Sequence, residues 1–370
     1  MDGKIAIIGG NIAGLSAAYH LAGKGCRVTV YEKKIWDKPC GGAISTQFAA
    51  YLKNHMKIRL NAGSQPVRPL CCGFQSTPSV LMPGVFVITS RYHLQQELIA
   101  RLRMHPNVEI VFRKVSAADR DLFTPQTVLA AGCSALTRKI LQKQWHNREY
   151  ALICKGRGEM AADLVPQPHL MIFNTRIRGY GWIFVQNDGQ FNLGVGGLVD
   201  KARLSREFEH FRRQSVHRFH YPELPLQSPP IAWKVPIAHK PTSHPLAFNR
   251  QDTQFIGAGD ALGLAHPIVA AGIEPAWQSG WLLGEAYMPG QGAVDVSRYR
   301  TLLKKNLHLT SRKPIDRVTA WMLRYFKPPV KEKMAYLFLR LNQESIMRSL
   351  NRYPWFARVH DGSRQIPYAG

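Results

Sequence analysis

The residues whose types and spacing could do chemistry begin with a glycine-rich turn and an acid about twenty positions further on. Gly9, Asn11 and Gly14 follow an apolar run that ends at Ile8, and a helical pattern comes next. A helix start offers free N–H groups and the positive end of the helix dipole, which together bind a pyrophosphate. Glu32 ends the next apolar run, where a carboxylate can accept hydrogen bonds from the ribose hydroxyls of an adenosine. These residues predict a nucleotide-binding unit, and the simpler alternative is an ordinary strand–turn–helix connection.

Asn11 stands where the middle glycine of the G-x-G-x-x-G pattern belongs. Asparagine tolerates a positive φ better than other residues with a side chain, so we expect the turn to survive with Asn11 in that conformation. Ala13 and Lys33 lie next to these positions and complete the first group of residues predicted to contact the nucleotide.

The elements that position these residues follow from hydrophobic periodicity. A helix is expected over 91–104, and the strand before Gly132 runs into a turn, so it returns to the nucleotide-binding sheet. Another strand and turn at 255–261 precede a helix over 272–286. The strands expected in this part of the fold are 5–8, 27–31, 85–89, 108–112 and 127–131.

The middle of the chain changes character. Residues 186–190 form a strong hairpin-turn signal between alternating segments, which indicates an antiparallel sheet. Beyond residue 296 the pattern is mostly helical, with breaks at Pro314 and at Pro328-Pro329. The strands expected around the hairpin are 170–173, 181–185 and 191–197. The predicted fold class is α/β, with a discontinuous Rossmann-type domain (1–150 and 250–295), an antiparallel β substrate domain (151–249) and a basic helical C-terminal region (296–370).

The net charge of the chain is +25, because 49 Lys and Arg are set against 24 Asp and Glu. The positive electrostatic potential of such a chain attracts an anionic partner. The nucleotide-binding opening and the lack of a nucleic-acid-binding motif argue against a nucleic acid, which leaves an anionic membrane surface or an acidic partner protein. The excess is concentrated late, since residues 300–352 hold thirteen Lys and Arg against three Asp and Glu. A helix that covers the core with a solvated basic face is the alternative.

Cysteine usage and targeting signals favour the cytoplasm. The six cysteines form no C-x-x-C pair and no zinc spacing, so we expect reduced thiols and no metal site. Met1 leaves no room for a signal peptide before the first strand, and no segment has about 18 uninterrupted apolar residues. We therefore expect a cytoplasmic protein, with peripheral membrane binding as an option.

Two distant segments resemble FAD proteins of the aromatic-hydroxylase superfamily, whose nucleotide domain is of the glutathione-reductase type. One is the opening turn, and the other runs from Gly259-Asp260-Ala261 through Pro267 to Gly272, similar to the GDA-x5-P-x4-G motif of the superfamily. The resemblance implies FAD as cofactor, with Asp260 accepting a hydrogen bond from a ribityl hydroxyl and Pro267 stiffening the loop beside the isoalloxazine ring. A reduced flavin anion is stabilised at a helix start. The backbone N–H groups implied to face the flavin pyrimidine edge are those of Ala271, Gly272 and Ile273.

Two further positions follow from the same resemblance. Arg91 corresponds to a superfamily arginine near the flavin, where its charge can neutralise the pyrophosphate. Members of the superfamily usually carry an Asp-Gly pair that touches both FAD and the nicotinamide cofactor. Here Ala131-Gly132 stands in that place, so Gly132 is retained as a flavin contact and the acid is lost. This loss argues against ordinary hydroxylation fed by NAD(P)H.

Shorter segments are similar to geranylgeranyl-reductase-type flavoproteins. Those proteins pair a CGG loop near the flavin with a YxWxFP strand that lines the substrate cavity. The matching segments here are Pro39-Cys40-Gly41-Gly42, residues 180–184 and residues 192–196, with Val185 in place of the proline.

The resemblance implies candidate catalytic residues, each with a plainer alternative. Cys40 would be a redox-active or substrate-gating thiol, and otherwise a turn cysteine. His266 would donate a proton or orient a flavin adduct, and otherwise is a satisfied loop histidine. Trp182 and Phe184 face the same side of their strand and would form an aromatic cavity wall, and otherwise are plain core packing.

The implied activity is FAD-dependent redox chemistry on a large apolar or aromatic substrate. We favour a monooxygenase that hydroxylates an aromatic group, because the chain is short for a prenyl reductase, the YxWxFP strand is incomplete and the charge indicates a macromolecular partner. The layout is similar to flavoproteins that mature tryptophylquinone oxidases by hydroxylating a protein tryptophan. The alternative is a geranylgeranyl-reductase-type flavoprotein that saturates prenyl lipid double bonds, and the third hypothesis is non-catalytic flavin binding. Flavin-dependent halogenases share a related strand, but their catalytic lysine motif has no counterpart here.

Overall fold

Two large sheets organise the part of the chain that the computed structural model describes. One sheet carries the predicted nucleotide-binding turn, and the other contains the strands of the predicted substrate domain. The described residues are 3–60, 67–84, 86–141, 150–159, 167–186, 190–221, 223–236, 246–265, 270–307 and 328–341.

The first sheet has six strands and is parallel except at one edge. Its strands are β1 (Lys4–Ile8), β2 (Arg27–Glu32), β7 (Val108–Phe112), β8 (Gln126–Leu129), β14 (Ala247–Arg250) and β15 (Thr253–Gly257). Their order is β14-β15-β8-β1-β2-β7, with β14 antiparallel to β15. β1 is central and nearly free of polar residues, as expected for a strand buried on both faces. The carboxyl end of β1 leads directly into the glycine-rich turn.

The second sheet has seven strands in the order β13-β9-β12-β11-β10-β4-β5. They are β4 (Leu70–Phe74), β5 (Val80–Met82), β9 (Tyr150–Glu159), β10 (His169–Asn174), β11 (Gly179–Val185), β12 (Gln190–Gly197) and β13 (Ile231–Pro236). Only the β10–β4 pair within this sheet is parallel. Two short antiparallel pairs complete the strands: β3 (Ala43–Ser45) with β6 (Phe86–Ile88), and β16 (Tyr287–Met288) with β17 (Ala293–Val294).

Eight helices surround the sheets in the described ranges. They are α1 (Ile12–Ala22), α2 (Thr46–Met56), α3 (Arg91–Arg103), α4 (Ala135–Ile140), α5 (Lys201–Phe219), α6 (Ile273–Ala286), α7 (Val296–Asn306) and α8 (Pro328–Leu341). α1 packs along α6, and the main core lies between these helices and the first sheet. α5 packs across β12 and β9 of the second sheet through Leu204, Phe208 and Phe211. The predicted α/β fold, with a Rossmann-type sheet, an antiparallel sheet and helices, is confirmed.

The strand pairing differs from the predicted domain boundaries in two places. β4 and β5 lie within residues 1–150 but extend the second sheet, through the register of Leu70 with His169. β14 (Ala247–Arg250) crosses the predicted boundary at 249/250 and forms the edge of the first sheet. Strand partners are chosen by tertiary packing, which a local pattern does not contain. The proposed boundaries therefore follow neither sheet completely.

The C-terminal region was predicted as helices interrupted by prolines. α8 begins at Pro328, the place of the second predicted break, where the missing N–H of proline costs nothing because the first helical N–H groups have no partner within the helix. The break predicted at Pro314 lies outside the described residues. Within the described ranges, no helix combines the length and apolar character needed to cross a membrane.

Candidate flavin site

In the glycine-rich turn, the backbone of α1 packs directly against the backbone that follows β1. Gly9 has a φ of 108°, a conformation that residues with a side chain rarely adopt, and its N–H donates to the Tyr31 carbonyl at 2.8 Å. A Cβ placed on Gly14 would overlap the Gly9 carbonyl oxygen. The start of α1 is therefore packed directly on the turn, which leaves its first N–H groups facing outward.

Asn11 stabilises the turn as a helix cap, and not through the backbone conformation that was predicted for it. Its φ is −101°, so the expectation of a positive φ is wrong; Gly9 supplies the left-handed residue instead. Asn11 is the N-cap of α1, and its Oδ1 accepts from the Ile12 N–H at 2.8 Å. The same oxygen accepts from the Arg91 guanidinium. Asparagine is among the best N-cap residues, and this signal could have been read from the sequence.

Two side chains from α3 reach the turn. Arg91 is 7% exposed, and its Nε has no hydrogen-bond partner in the structure. Gln95 is fully buried and donates through Nε2 to the Gly10 carbonyl at 2.7 Å, a contact that the sequence analysis missed. A buried guanidinium with an unused donor requires a compensating anion nearby. The pyrophosphate of FAD could be that anion, and Arg91 contacts the glycine-rich turn through Asn11.

Glu32 lies beside the turn at the end of β2. Its Oε2 accepts from the Gly10 N–H at 2.7 Å, and its Oε1 accepts from the Lys33 N–H at 2.7 Å. Burial raises the pKa of this carboxyl. The side chain of Lys33 is exposed, so Lys33 enters the site through its backbone. Each Glu32 oxygen has further acceptor capacity, which suits the ribose contact predicted for it.

The second predicted flavin segment is held against the turn by the contact of α1 with α6. A Cβ on Gly259 would lie 2.6 Å from the Ala13 Cβ, and a Cβ on Gly280 would lie 2.5 Å from the Ala13 carbonyl oxygen. Ser16 Oγ donates to the Trp277 carbonyl at 2.6 Å. Residues almost 270 positions apart, as in the pair Ala13 and Gly280, are thus fixed side by side. The two ends of the predicted cofactor cradle belong to one site.

Asp260 occupies the predicted place at the end of β15. A Cβ on Gly132 would lie 3.7 Å from the Asp260 Cβ, and one on Gly272 would lie 3.6 Å from its Oδ1, so three predicted cofactor residues meet here. Lys38 Nζ lies 2.5 Å from Asp260 Oδ2. This ion pair joins the loop before Cys40 to the flavin segment, and sequence reasoning missed it because nothing local marks it.

The start of α6 carries a buried acid that the sequence analysis also missed. Ile273 opens the helix and is buried, whereas Ala271 is exposed just before it. Glu274 is 8% exposed; its Oε1 accepts from the Ser45 N–H at 2.6 Å and its Oε2 has no partner. Burial raises the pKa of Glu274 to about 7. This group can therefore hold or release a proton near neutral pH beside the predicted flavin loop.

Asn192 on β12 clamps the Cys40 loop to the second sheet. Its Nδ2 donates to the carbonyls of Cys40 and Gly41 at 3.0 and 2.9 Å. Its Oδ1 accepts from Trp182 Nε1 at 2.9 Å. A Cβ on Gly41 would lie 2.7 Å from the Phe184 ring, so the loop rests directly on the aromatic residues. Two segments that resemble geranylgeranyl-reductase-type flavoproteins are brought together in this way.

The predicted aromatic wall continues along the sheet. The Trp182 ring lies 6.2 Å from Phe184 and 5.7 Å from Tyr180, measured between centroids, and Trp182 and Phe184 are almost fully buried. Burial raises the pKa of Tyr180. His266 and Pro267 lie outside the described residues. Ala265 and Ala270, on either side of that segment, pack against the cluster that contains Trp182 and Phe184.

Val185 replaces a proline of the resembling strand and has a local reason to do so. Its N–H donates to His169 Nδ1 at 3.2 Å, a bond that proline could not make. Burial lowers the pKa of His169 to about 3, so the ring is neutral and its Nδ1 is free to accept. Valine at position 185 thus adds a hydrogen bond between β10 and β11.

The fold and this site define a dinucleotide-binding oxidoreductase of the flavoprotein class. The buried arginine at the phosphate turn and the carboxylates of Glu32 and Asp260 suit the pyrophosphate and the hydroxyl groups of FAD. No group of three or more His, Cys, Asp or Glu within the described ranges could hold a metal ion.

Known proteins agree with this class. Residues 4–139 match the family model of DAO, FAD dependent oxidoreductase. A menaquinone reductase of Mycolicibacterium smegmatis is 24% identical over 82% of this chain and 80% of its own length. A digeranylgeranylglycerophospholipid reductase 2 of Methanothermobacter thermautotrophicus is 23% identical over 97% of this chain and 99% of its own.

Solved structures share the fold. A geranylgeranyl bacteriochlorophyll reductase-like protein of Thermoplasma acidophilum has a TM-score of 0.69 at 16% identity and covers 90% of both chains. A flavin-dependent brominase has a TM-score of 0.67 at 14% identity, covering 97% of this chain and 98% of its own. A p-nitrophenol 4-monooxygenase of Pseudomonas putida has a TM-score of 0.62 at 16% identity, covering 95% and 98%. Residues 4–139 form an FAD-dependent oxidoreductase domain with FAD as its cofactor, and the solved structures show that the chain as a whole has a fold found in flavoproteins.

Proposed function

We propose that this flavoprotein is a reductase that saturates a carbon–carbon double bond of a large isoprenoid-type substrate. The observation that carries the proposal is the Asn192 clamp, which holds the Cys40 loop and Trp182 in one hydrogen-bonded unit. Both segments are similar to geranylgeranyl-reductase-type flavoproteins. Two relatives that are similar over most of the chain are named as reductases of menaquinone and of a digeranylgeranyl lipid.

The chain's own residues have distinct tasks in this proposal. Reduced FAD would supply the hydride. Trp182 and Phe184 are almost fully buried, so in this proposal they support from the core side the apolar wall against which an isoprenoid chain would lie. Asn192 fixes the backbone of the Cys40 loop, and in this proposal the Cys40 thiol faces the substrate. The thiol can donate the proton that completes the saturation, and solvent can return it, since Cys40 is only partly buried.

Two features that favoured oxygenation on sequence grounds have less force in this geometry. The incomplete YxWxFP strand keeps its aromatic positions, because the Val185 N–H is used by His169. The short chain also aligns with 99% of one reductase, so its length is not unusual for that class.

The second candidate is the monooxygenase favoured by the sequence analysis. It would hydroxylate a large aromatic substrate, including a tryptophan of an acidic partner protein during quinone-cofactor biogenesis. Two observations favour it: the row of aromatic rings at the wall, and the net charge of +25, which suits an acidic macromolecule.

One experiment separates the candidates. The purified protein is loaded with FAD, reduced with dithionite without oxygen, and mixed with a geranylgeranyl lipid or with menaquinone. The proposal expects a product that has gained two hydrogen atoms by mass spectrometry, and a rate lowered by about tenfold or more in Cys40→Ala. Met104→Ala, at an exposed position, is the matched control.

Oxygenation of an aromatic substrate would contradict the reductase proposal. The reduced protein mixed with oxygen and an aromatic substrate would add one oxygen atom, while the lipids stay unchanged. This outcome would replace the first candidate by the second. Failure of both reactions, with FAD bound normally, would leave the non-catalytic hypothesis.

A further inference from the structure

We propose that α8 docks on an anionic lipid membrane surface. The helix carries four exposed apolar side chains on one face, here termed the α8 stripe. They are Val330, Met334, Leu337 and Leu341, which are 47%, 39%, 55% and 72% exposed. Successive helical residues are separated by about 100°, so these four positions fall within a narrow arc of the helix surface. A contiguous row of exposed apolar side chains on a helix is typical of an interaction site.

The opposite face of α8 is fixed to the second sheet by a buried acid. Glu332 is 4% exposed; its Oε2 accepts from the Ser76 N–H at 2.9 Å and from the Ser76 hydroxyl. Its Oε1 accepts from the Thr175 hydroxyl at 3.0 Å. These bonds determine which way the helix faces. The α8 stripe therefore points away from the sheet because Glu332 holds the other side.

The positive charge around the α8 stripe favours an anionic lipid surface as its binding partner. Lys333 and Arg340 are exposed and lie along one edge of it, and residues 300–352 hold thirteen Lys and Arg against three Asp and Glu. Apolar residues on one side of a helix with cations beside them are typical of a helix that lies in a membrane interface. A second copy of this chain, with a net charge of +25, would bring like charges together. Anionic lipid supplies both the apolar phase and the opposite charge.

The docking extends the proposed function without depending on it. Tyr336 of α8 is half-buried and packs against the cluster that contains Trp182 and Phe184. A single helix, α8, would thus contact the membrane on one face and the aromatic cluster through Tyr336. If the reaction proves to be oxygenation, the docking proposal still stands, because vesicle binding is measured without turnover.

The test is flotation of the full-length FAD-loaded protein with vesicles. Wild-type protein is expected to float with phosphatidylglycerol vesicles at low salt and not with phosphatidylcholine vesicles. Leu337→Glu is expected to weaken this binding by roughly tenfold to a hundredfold, the equivalent of losing one buried leucine. Lys333→Glu with Arg340→Glu is expected to weaken it by about tenfold or more. Met104→Glu, at a side chain that is 75% exposed in another part of the molecule, is the control and should bind like wild type.

Three results would overturn the docking proposal. Wild-type protein could remain unbound to phosphatidylglycerol at low salt, which would favour an acidic protein as partner. Leu337→Glu could float as well as wild type, which would remove the stripe from the contact. Leu337→Glu could convert a dimer to a monomer in light scattering, which would assign the stripe to a second copy. Absorbance of bound FAD shows in every case that the variant is folded.

Discussion

Replacing Glu274 by glutamine is expected to stabilise the protein at alkaline pH. The carboxyl is 8% exposed, its Oε1 accepts from the Ser45 N–H, and its Oε2 has no partner in the described structure. Burial raises its pKa from 4.5 to about 7. Between these values the folded protein retains a proton that the unfolded chain has released, so the free energy of unfolding falls as the pH rises.

The magnitude follows from the size of the pKa change. A rise from 4.5 to about 7 costs ~3 kcal/mol once the pH exceeds 7, at about 1.4 kcal/mol for each unit. Glutamine keeps an oxygen for the Ser45 N–H and cannot ionise, so it avoids this cost. Glu274→Gln should therefore gain about 3 kcal/mol over wild type at pH 8, and only about 1 kcal/mol at pH 5.

Equilibrium urea unfolding at the two pH values, followed by tryptophan fluorescence with equal free FAD, measures this difference. Glu223→Gln makes the same chemical change at an exposed position and serves as the control. It should alter the free energy of unfolding by less than about 0.5 kcal/mol. A Glu274→Gln protein no more stable than wild type at pH 8 refutes the reasoning, and so does a gain of equal size at both pH values.

Three other outcomes can be checked with similar measurements. Asn192→Leu removes three hydrogen bonds and should lower the free energy of unfolding by about 2–4 kcal/mol; an unchanged urea midpoint would contradict this. Gly14→Ala places a methyl group against a backbone carbonyl and should weaken FAD binding by about tenfold or more in a fluorescence titration, whereas Gly290→Ala, which meets no atom within 4 Å, should bind normally. Burial lowers the pKa of His20 and His169 to about 3, so below pH 6.5 the unfolded chain takes up protons that the folded protein does not. In Glu274→Gln protein, which lacks the opposing titration of that carboxyl, the free energy of unfolding should fall by up to about 1.4 kcal/mol for each histidine with every unit that the pH drops below 6.5, and a flat profile from pH 7 to 5 would count against it.

The nucleotide-binding elements could be predicted because their signals are local. β1, the turn, α1 and β2 occupy one continuous segment, and each has its own periodicity and punctuation. The contacts that complete the site join distant residues instead. Lys38 and Asp260 are 222 positions apart, and Asn192 lies 152 positions from Cys40. Charge and side-chain type at one position do not indicate which loop will meet it, so these pairs could not be found from one sequence.

The departures from the superfamily pattern show the same limit. Asn11 was correctly expected to preserve the turn, but it does so as a helix cap that also holds Arg91, and not through a positive φ. From the sequence alone, Val185 is a missing proline in the aromatic strand. In the structure, its N–H donates a hydrogen bond to His169 that proline could not make. Each substitution makes physical sense only with its partner, and the partner is supplied by the fold.

The distance between the two ends of the flavin site is determined by helix packing. Cβ atoms placed on Gly280 and Gly284 would lie 2.5 Å from the Ala13 carbonyl oxygen and 2.6 Å from the His20 Cβ. α6 therefore approaches α1 more closely than any side chain at these positions would permit. Because α1 begins at the glycine-rich turn and α6 begins at Ile273, this approach fixes how far the turn lies from the predicted flavin loop. Gly280 and Gly284 therefore help to set the span that is available to the cofactor between these two segments.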